Sequence, residues 1–301
     1  EIVNSDWSSD VCSSDLESVG IPEQKFNKMK IEMGCKKQAF QSQRNRETIE
    51  HAVEFLSKIA VDLSKLDYHR EDLITDGILK QKILFIVVNT YTKPEYKLGV
   101  GPLNDSINCA INHIKMGYKV FFLHNSTPHI FKGWLKFVLK NVQNDLTIFY
   151  TGHGASIEDE DGDEDDGYDE VMLFDDGYVL DDELCKYLIR YAHGTRILLL
   201  TDCCHSGTMW DLDSGNMGSR KLPPNIISIS AAKDSQTAKQ TKMNERDQGI
   251  FSFYFWKIIR HHPNITSNQM MAKINPIIAR YKQNYTQTAT SEGLLDKPIF
   301  S

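Results

Sequence analysis

The sequence has no long apolar run, no cysteines spaced C-x-x-C, little proline and, from Glu158 to Glu183, no lysine or arginine at all. Its longest apolar pieces are strand-sized, such as Ile83-Leu84-Phe85-Ile86-Val87-Val88, far short of the roughly 18 residues that cross a bilayer, so a transmembrane helix is excluded. The six cysteines (Cys12, Cys35, Cys109, Cys185, Cys203, Cys204) form no Cys/His ladder with zinc spacing, which argues against a disulfide scaffold or a zinc module. No basic stretch followed by an apolar one opens the chain, so no secretory signal is visible and the reducing cytoplasm is the expected compartment. Nine prolines, 18 glycines and 41% hydrophobic residues in 301 exclude collagen-like and disordered classes and are enough for one large domain or two small ones. The basic residues make no sustained patch interleaved with aromatics, so nucleic acid is not an expected partner.

What is present is unevenly charged. The formal charge of -7 divides into fifteen acids between Glu158 and Glu183 and a body that carries the opposite sign. The opening Asn4-Ser5-Asp6-Trp7-Ser8-Ser9-Asp10-Val11-Cys12-Ser13-Ser14-Asp15-Leu16 repeats a Ser/Asp unit that supports no packed element and resembles translated sequencing-adapter read-through, so residues 1–16 are set aside as non-native. Residues 17–81 read as a pre-segment, with Ile49, Val53, Leu56, Ile59, Ala60 and Leu63 recurring at helical spacing between Arg44 and Leu66.

From Lys82 the pattern alternates. Strands are expected at Ile83 to Val88, Lys119 to Leu123, Leu146 to Tyr150, Arg196 to Thr201 and Ile226 to Ser230, with a short edge strand over Lys297-Pro298-Ile299-Phe300. Helices are expected at Asp105 to Met116, Ile130 to Val142, Asp182 to Tyr191, Gly249 to Arg260 and Ser267 to Tyr281. Continuous Val/Ile/Leu/Phe runs mean strands covered on both faces, the mark of a mostly parallel sheet with helical crossovers. The fold class is α/β.

Reactive groups of such sheets gather beyond the carboxyl ends of the strands. Two ends are chemically loaded: Tyr150-Thr151-Gly152-His153-Gly154 and Thr201-Asp202-Cys203-Cys204-His205-Ser206-Gly207. If the two strands are parallel neighbours, an imidazole and a thiol share one rim, the minimum for nucleophilic cysteine catalysis. Adjacent residues of an extended segment point to opposite sides, so only one of the two sulfurs can face His153. Gly154 and Cys204 are placed to offer backbone N–H groups to an oxyanion.

These two motifs resemble the catalytic pair of the metacaspases, caspase-like cysteine peptidases. The resemblance runs from about Lys82 to Phe300 and is supported by Asn104-Asp105, Asp169-Glu170, Asp181-Asp182-Glu183 and Gln236-Thr237-Ala238; the short stretch between Ser206 and Ile226 resembles the type I members. It implies a caspase-like three-layer sandwich over 82–301, a mostly parallel central sheet flanked by helices. This divides into a large-subunit-like part (82–207), a linker (208–224) and a small-subunit-like part (225–301). It further implies Cys204 as nucleophile, His153 as general base, and Cys203 as a neighbouring thiol without that role.

By the same resemblance, Asp105 and Asp202 with Thr151 line the first subsite and anchor an Arg or Lys side chain of a protein or peptide substrate. On the residues alone, Asn104-Asp105 also reads as a helix start. The run from Glu158 to Asp166 reads as a solvated loop, whereas Asp169, Asp181, Asp182 and Asp211 resemble the carboxylates that bind calcium in type I members, hard ligands suited to Ca2+ as an activator. Arg220 and Lys221 are candidate self-cleavage positions, as are Lys36, Lys37, Arg44 and Arg46, and a monomer is expected. Three departures bear on specificity: Thr151 where Ser is common, Pro102 where a Cys often precedes the Asn-Asp pair, and Ala231-Ala232-Lys233-Asp234 before Gln236. The competing readings are a non-proteolytic calcium-dependent scaffold or protein-quality-control factor and a legumain- or gingipain-like peptidase.

Overall fold

Every side chain of the strand Ile83–Val88 is buried, and alternate ones enter different cores. Leu84, Ile86 and Val88 belong to one apolar cluster and Ile83, Phe85 and Val87 to another. The period of two along a strand thus gives a sheet with helices on both faces. The computed structural model describes residues 48–66, 78–158, 168–203, 209–212, 216–217, 220–233, 241–243 and 246–300.

In chain order the elements are α1 (Ile49–Ile59), β1 (Val61–Asp62), β2 (Ile83–Val88), α2 (Gly101–Lys115), β3 (Lys119–His124), α3 (Pro128–Asn141), β4 (Asp145–Thr151), β5 (Gly154–Glu158), β6 (Tyr168–Phe174), β7 (Gly177–Leu180) and α4 (Asp181–Tyr191). They continue with β8 (Arg196–Asp202), a short antiparallel pair β9 (Asn216–Met217) and β10 (Arg220–Lys221), β11 (Ile226–Lys233), a second short pair β12 (Thr241–Met243) and β13 (Arg246–Gln248), α5 (Ile250–His261), α6 (Ser267–Ile278) and β14 (Gln283–Ala289). Among the described residues seven strands make one sheet in the order β1-β3-β2-β4-β8-β11-β14, parallel except for β14. Leu103 and Ile107 of α2, Phe251 and Phe255 of α5 and Met270 of α6 fill one face; Phe131 and Trp134 of α3 and Leu184 and Leu188 of α4 fill the other. Among the described residues no helix is long and apolar enough to cross a membrane.

Two expectations are corrected. The antiparallel edge strand is β14, not Lys297 to Phe300: Ile227 pairs with Ala289 and Lys233 with Gln283, and Ser230 bonds Thr286 across the ladder at 2.6 Å. Pro298 has no N–H to give to a ladder; its segment instead buries Ile299 and Phe300 in the core, tied by Ile299 N–H to the Ile265 carbonyl at 3.0 Å. The pre-segment helix ends at Ile59 instead of running to Leu66, and β1 follows, pairing with Phe121 and Phe122. With Leu56 fully buried in the core, the described part of this segment is built into the sheet. Flanking the acidic run, the chain forms a separate antiparallel sheet β5-β6-β7; the expected loop from Glu158 to Asp166 falls, after its first residue, within residues 159–167, which lie outside those described.

Candidate active site

β4 and β8 are parallel neighbours, with Thr151 opposite Asp202 and Val88 of β2 opposite Thr151. The imidazole of His153 therefore leaves the rim two residues beyond β4, beside the end of β8. Thr151 itself is buried, and its carbonyl accepts the Asn89 N–H at 3.0 Å. Cys203 is buried among Met209, Trp210 and the α3/α4 face, where the Trp210 indole N–H donates to Thr201 Oγ1 at 3.2 Å. Cys204, the expected nucleophile, lies outside the described residues. Gly154, the other expected oxyanion donor, starts β5 opposite Met172.

His153 is held on every side. Its Nε2 lies 2.7 Å from the Tyr96 carbonyl, which only accepts, so the proton sits on Nε2 and Nδ1 carries the lone pair. Its ring lies 4.8 Å from that of Tyr91, centroid to centroid. Burial lowers the imidazole pKa below its ordinary value, and the Tyr96 carbonyl works in the opposite direction. The imidazole is thus kept neutral and able to accept a proton.

Asp105 and Asp202 meet around one glycine. Asp105 lies one turn inside α2, which begins at Gly101, so it does not cap the helix as its sequence context also allowed. Its two carboxylate oxygens accept the Gly249 N–H at 3.0 and 2.8 Å, and Oδ2 of Asp202 accepts the Ser252 hydroxyl at 2.6 Å. Both acids are buried, at 3% and 8% exposure. A Cβ on Gly249 would stand 2.9 Å from Asp105 Oδ2 and closer still to Asp202 Oδ2. Two carboxylates from distant segments therefore converge within one side-chain width. Pro102 makes the first turn of α2 in that neighbourhood, its carbonyl accepting the Ser106 hydroxyl at 2.8 Å.

The acidic residues expected to hold a cation are partly gathered. Asp181 is buried at the start of α4, where its carboxylate accepts the N–H groups of Glu170 at 3.2 Å and Asp182 at 2.8 Å. Asp182 is bonded to Lys186 one turn on. Burial first, then the charges of Asp211, Asp182 and Asp181, pushes the Cys185 thiol up to about 12, so all three carboxylates act on one point. Asp211 takes a left-handed backbone, φ 40°. Yet among the described residues no three His, Cys, Asp or Glu side chains are grouped so as to hold a metal ion, and Asp181 and Asp182 are engaged by protein donors. Asp169 lies in β6, and Arg220 and Lys221 make β10, with Lys221 exposed.

Sequence reasoning missed Gly249, Ser252, Tyr91 and Tyr96. The first two become visible only through contacts across 144 and 50 residues, whereas Tyr91 and Tyr96, just after β2, carried a signal in their position on the rim.

Residues 116–213 match the family model described as metacaspase, peptidase C14 domain. The chain is 28% identical over 212 residues to Metacaspase-1 of Pyricularia oryzae, covering 50% of this chain and 54% of that protein. It is 27% identical over 222 residues to Metacaspase-1A of Aspergillus terreus, covering 53% and 55%. The chain thus spans about half the length of the curated relatives it matches. A solved protein from Geobacter sulfurreducens aligns with a TM-score of 0.50 at 18% identity, over 73% of this chain and 98% of that one. With the mostly parallel sheet covered by helices on both faces, the family match makes the fold caspase-like.

Proposed function

We propose that the chain, whose residues 116–213 match the metacaspase peptidase C14 domain, is a cysteine endopeptidase cleaving polypeptides after Arg or Lys. The observation that carries this reading is the convergence of Asp105 and Asp202 on the Gly249 backbone, beside a rim that holds a neutral imidazole. Two buried carboxylates so close favour a cation between them, and a guanidinium or ammonium group supplies one with directed N–H donors. The absence of a side chain at Gly249 lets both carboxylates come close to its backbone, and the Ser252 hydroxyl holds Asp202 Oδ2.

In the proposed reaction Nδ1 of His153 takes the Cys204 proton, the thiolate attacks the scissile carbonyl, and backbone N–H groups at Gly154 and Cys204 stabilise the oxyanion. The imidazolium then protonates the leaving amine, and water hydrolyses the thioester with His153 again as base. The Tyr96 carbonyl holds the Nε2 proton throughout.

Calcium activation, through Asp169, Asp181, Asp182 and Asp211, is proposed as regulation of the same site. It requires that Asp182 leave Lys186 and that Asp181 exchange backbone donors for the ion. Self-processing near Arg220 and Lys221 and action as a monomer belong to the same reading.

One assay tests these points: hydrolysis of Arg-, Lys- and Asp-terminated fluorogenic peptides with calcium or with EGTA, by wild type, Cys204→Ala, Asp105→Ala and Asp202→Ala. Release after Arg and Lys only, lost in all three variants, is expected. Equal activity of Asp202→Ala and wild type refutes the pocket, activity in Cys204→Ala refutes the nucleophile, and full activity in EGTA refutes the calcium switch.

A further inference from the structure

The Tyr91 side chain has a geometry that turn formation does not account for. Its φ is 62°, in the left-handed region, where a bulky residue costs about 1–2 kcal/mol that glycine would not. The turn is secured without the phenol: the Asn125 side-chain carbonyl accepts the N–H groups of Thr90 at 2.8 Å and Tyr91 at 3.1 Å. A tyrosine kept in this conformation is kept for its side chain.

That side chain is 2% exposed and ends at the backbone of His153. Its hydroxyl oxygen accepts the His153 N–H at 2.6 Å and donates to the Leu173 carbonyl at 3.0 Å. From the other side the hydroxyl of Tyr150 donates to the His153 carbonyl at 2.7 Å. Gly152 lies between: a Cβ there would stand 2.9 Å from one hydroxyl and 3.0 Å from the other. Both main-chain polar groups of His153 are therefore held by phenols, its carbonyl also accepting the Leu173 N–H at 3.1 Å, and the Tyr91 ring lies against the imidazole.

We infer that Tyr91, with Tyr150, is a positioning residue that clamps the His153 main chain and fixes the plane of its imidazole for proton transfer. The inference rests on the peptidase reading for its kinetic consequence, but the clamp itself is a property of His153. Burial holds both phenols above their ordinary pKa, so each stays a hydroxyl through the working range. Leu173 belongs to β6, the strand whose Glu170 N–H is bonded by Asp181, so the clamp also ties His153 to the sheet beside the acidic cluster.

The test uses Tyr91→Phe, which keeps the ring and removes the hydroxyl. A fall in kcat of about tenfold or more, with KM within about twofold of wild type and the thermal midpoint nearly unchanged, is expected. In the Cys204→Ala background, 15N NMR of the imidazole should change from one tautomer in the parent to a mixture in the Tyr91→Phe protein, with its titration moved to higher pH. Unchanged kcat, or an unchanged His153 spectrum, overturns the clamp. Should wild type hydrolyse no peptide, the peptidase reading fails while the NMR comparison still decides the clamp.

Discussion

Two imidazoles of this protein share a lowered pKa and little else. His113 is completely buried on α2, ringed by Tyr118, Trp256 and Phe300 at 4.8 to 5.2 Å, with Nδ1 on the Cys109 carbonyl and, among the described residues, no partner for Nε2. Burial drives it down to about 3. His153 stands half-buried at the rim, with its Nε2, its peptide N–H and its peptide C=O all bonded. His113 even has a sulfur beside it, Cys109 Sγ lying 3.6 Å from its Nδ1. The Cys109 thiol, however, is pushed far up by burial and stays protonated. A Cys beside a His is thus not a catalytic pair by proximity alone; access, a fixed tautomer and a pocket beside it make the difference.

The largest effect expected separates the two sites by activity. His153→Gln should lower kcat/KM by roughly 10²–10⁴-fold with little change in thermal stability, the range for a general acid–base group. His113→Leu should leave kcat/KM per folded molecule within about twofold. Comparable losses of activity in both variants would erase the distinction.

A smaller effect is expected at the pocket. Gly249→Ala puts a methyl group between Asp105 and Asp202, so either carboxylate must turn away. KM for an Arg-terminated peptide should rise by about ten- to a hundredfold, as for a lost charge-assisted hydrogen bond, while the acid limb of the kcat profile set by His153 stays in place. If KM is unchanged, the cation is not bound at Gly249.

What could be seen in the sequence depended on how local the cause was. The runs of β2, β3, β4 and β8 announce doubly covered strands because each residue meets apolar neighbours on both faces, and the strand ends carry His153 and Asp202 with them. β14 did not announce itself: Gln283-Asn284-Tyr285-Thr286-Gln287-Thr288-Ala289 is polar, and its strand state comes from pairing with β11. Asp105 looked like a cap because Asn104-Asp105 suits one, but Pro102 fits the first helical turn, and the helix starts four residues before Asp105. For Tyr91 the position on the rim is legible, but its left-handed backbone is not, because the turn is held by Asn125, 34 residues away.

The contrast between the imidazoles also predicts opposite sensitivities to acid, and here the sign follows from linkage. Folded His113 titrates at about 3 and an unfolded histidine at about 6.5, so between these values the unfolded chain binds more protons and stability falls as pH falls. His113→Leu removes that linkage at little packing cost, since the bond from Nδ1 goes to a carbonyl already within a helix, and the orphaned Nε2 disappears. Urea melts at pH 7 should place the variant within about 1 kcal/mol of wild type. At pH 5 the variant should gain about 2 kcal/mol relative to wild type, because 1.5 pH units below about 6.5 corresponds to that much preferential protonation of the unfolded chain at ~1.4 kcal/mol per unit. Parallel stability curves for the two proteins from pH 7 to 5 would mean that His113 is protonated in the fold, and would place water or an unseen acceptor at Nε2.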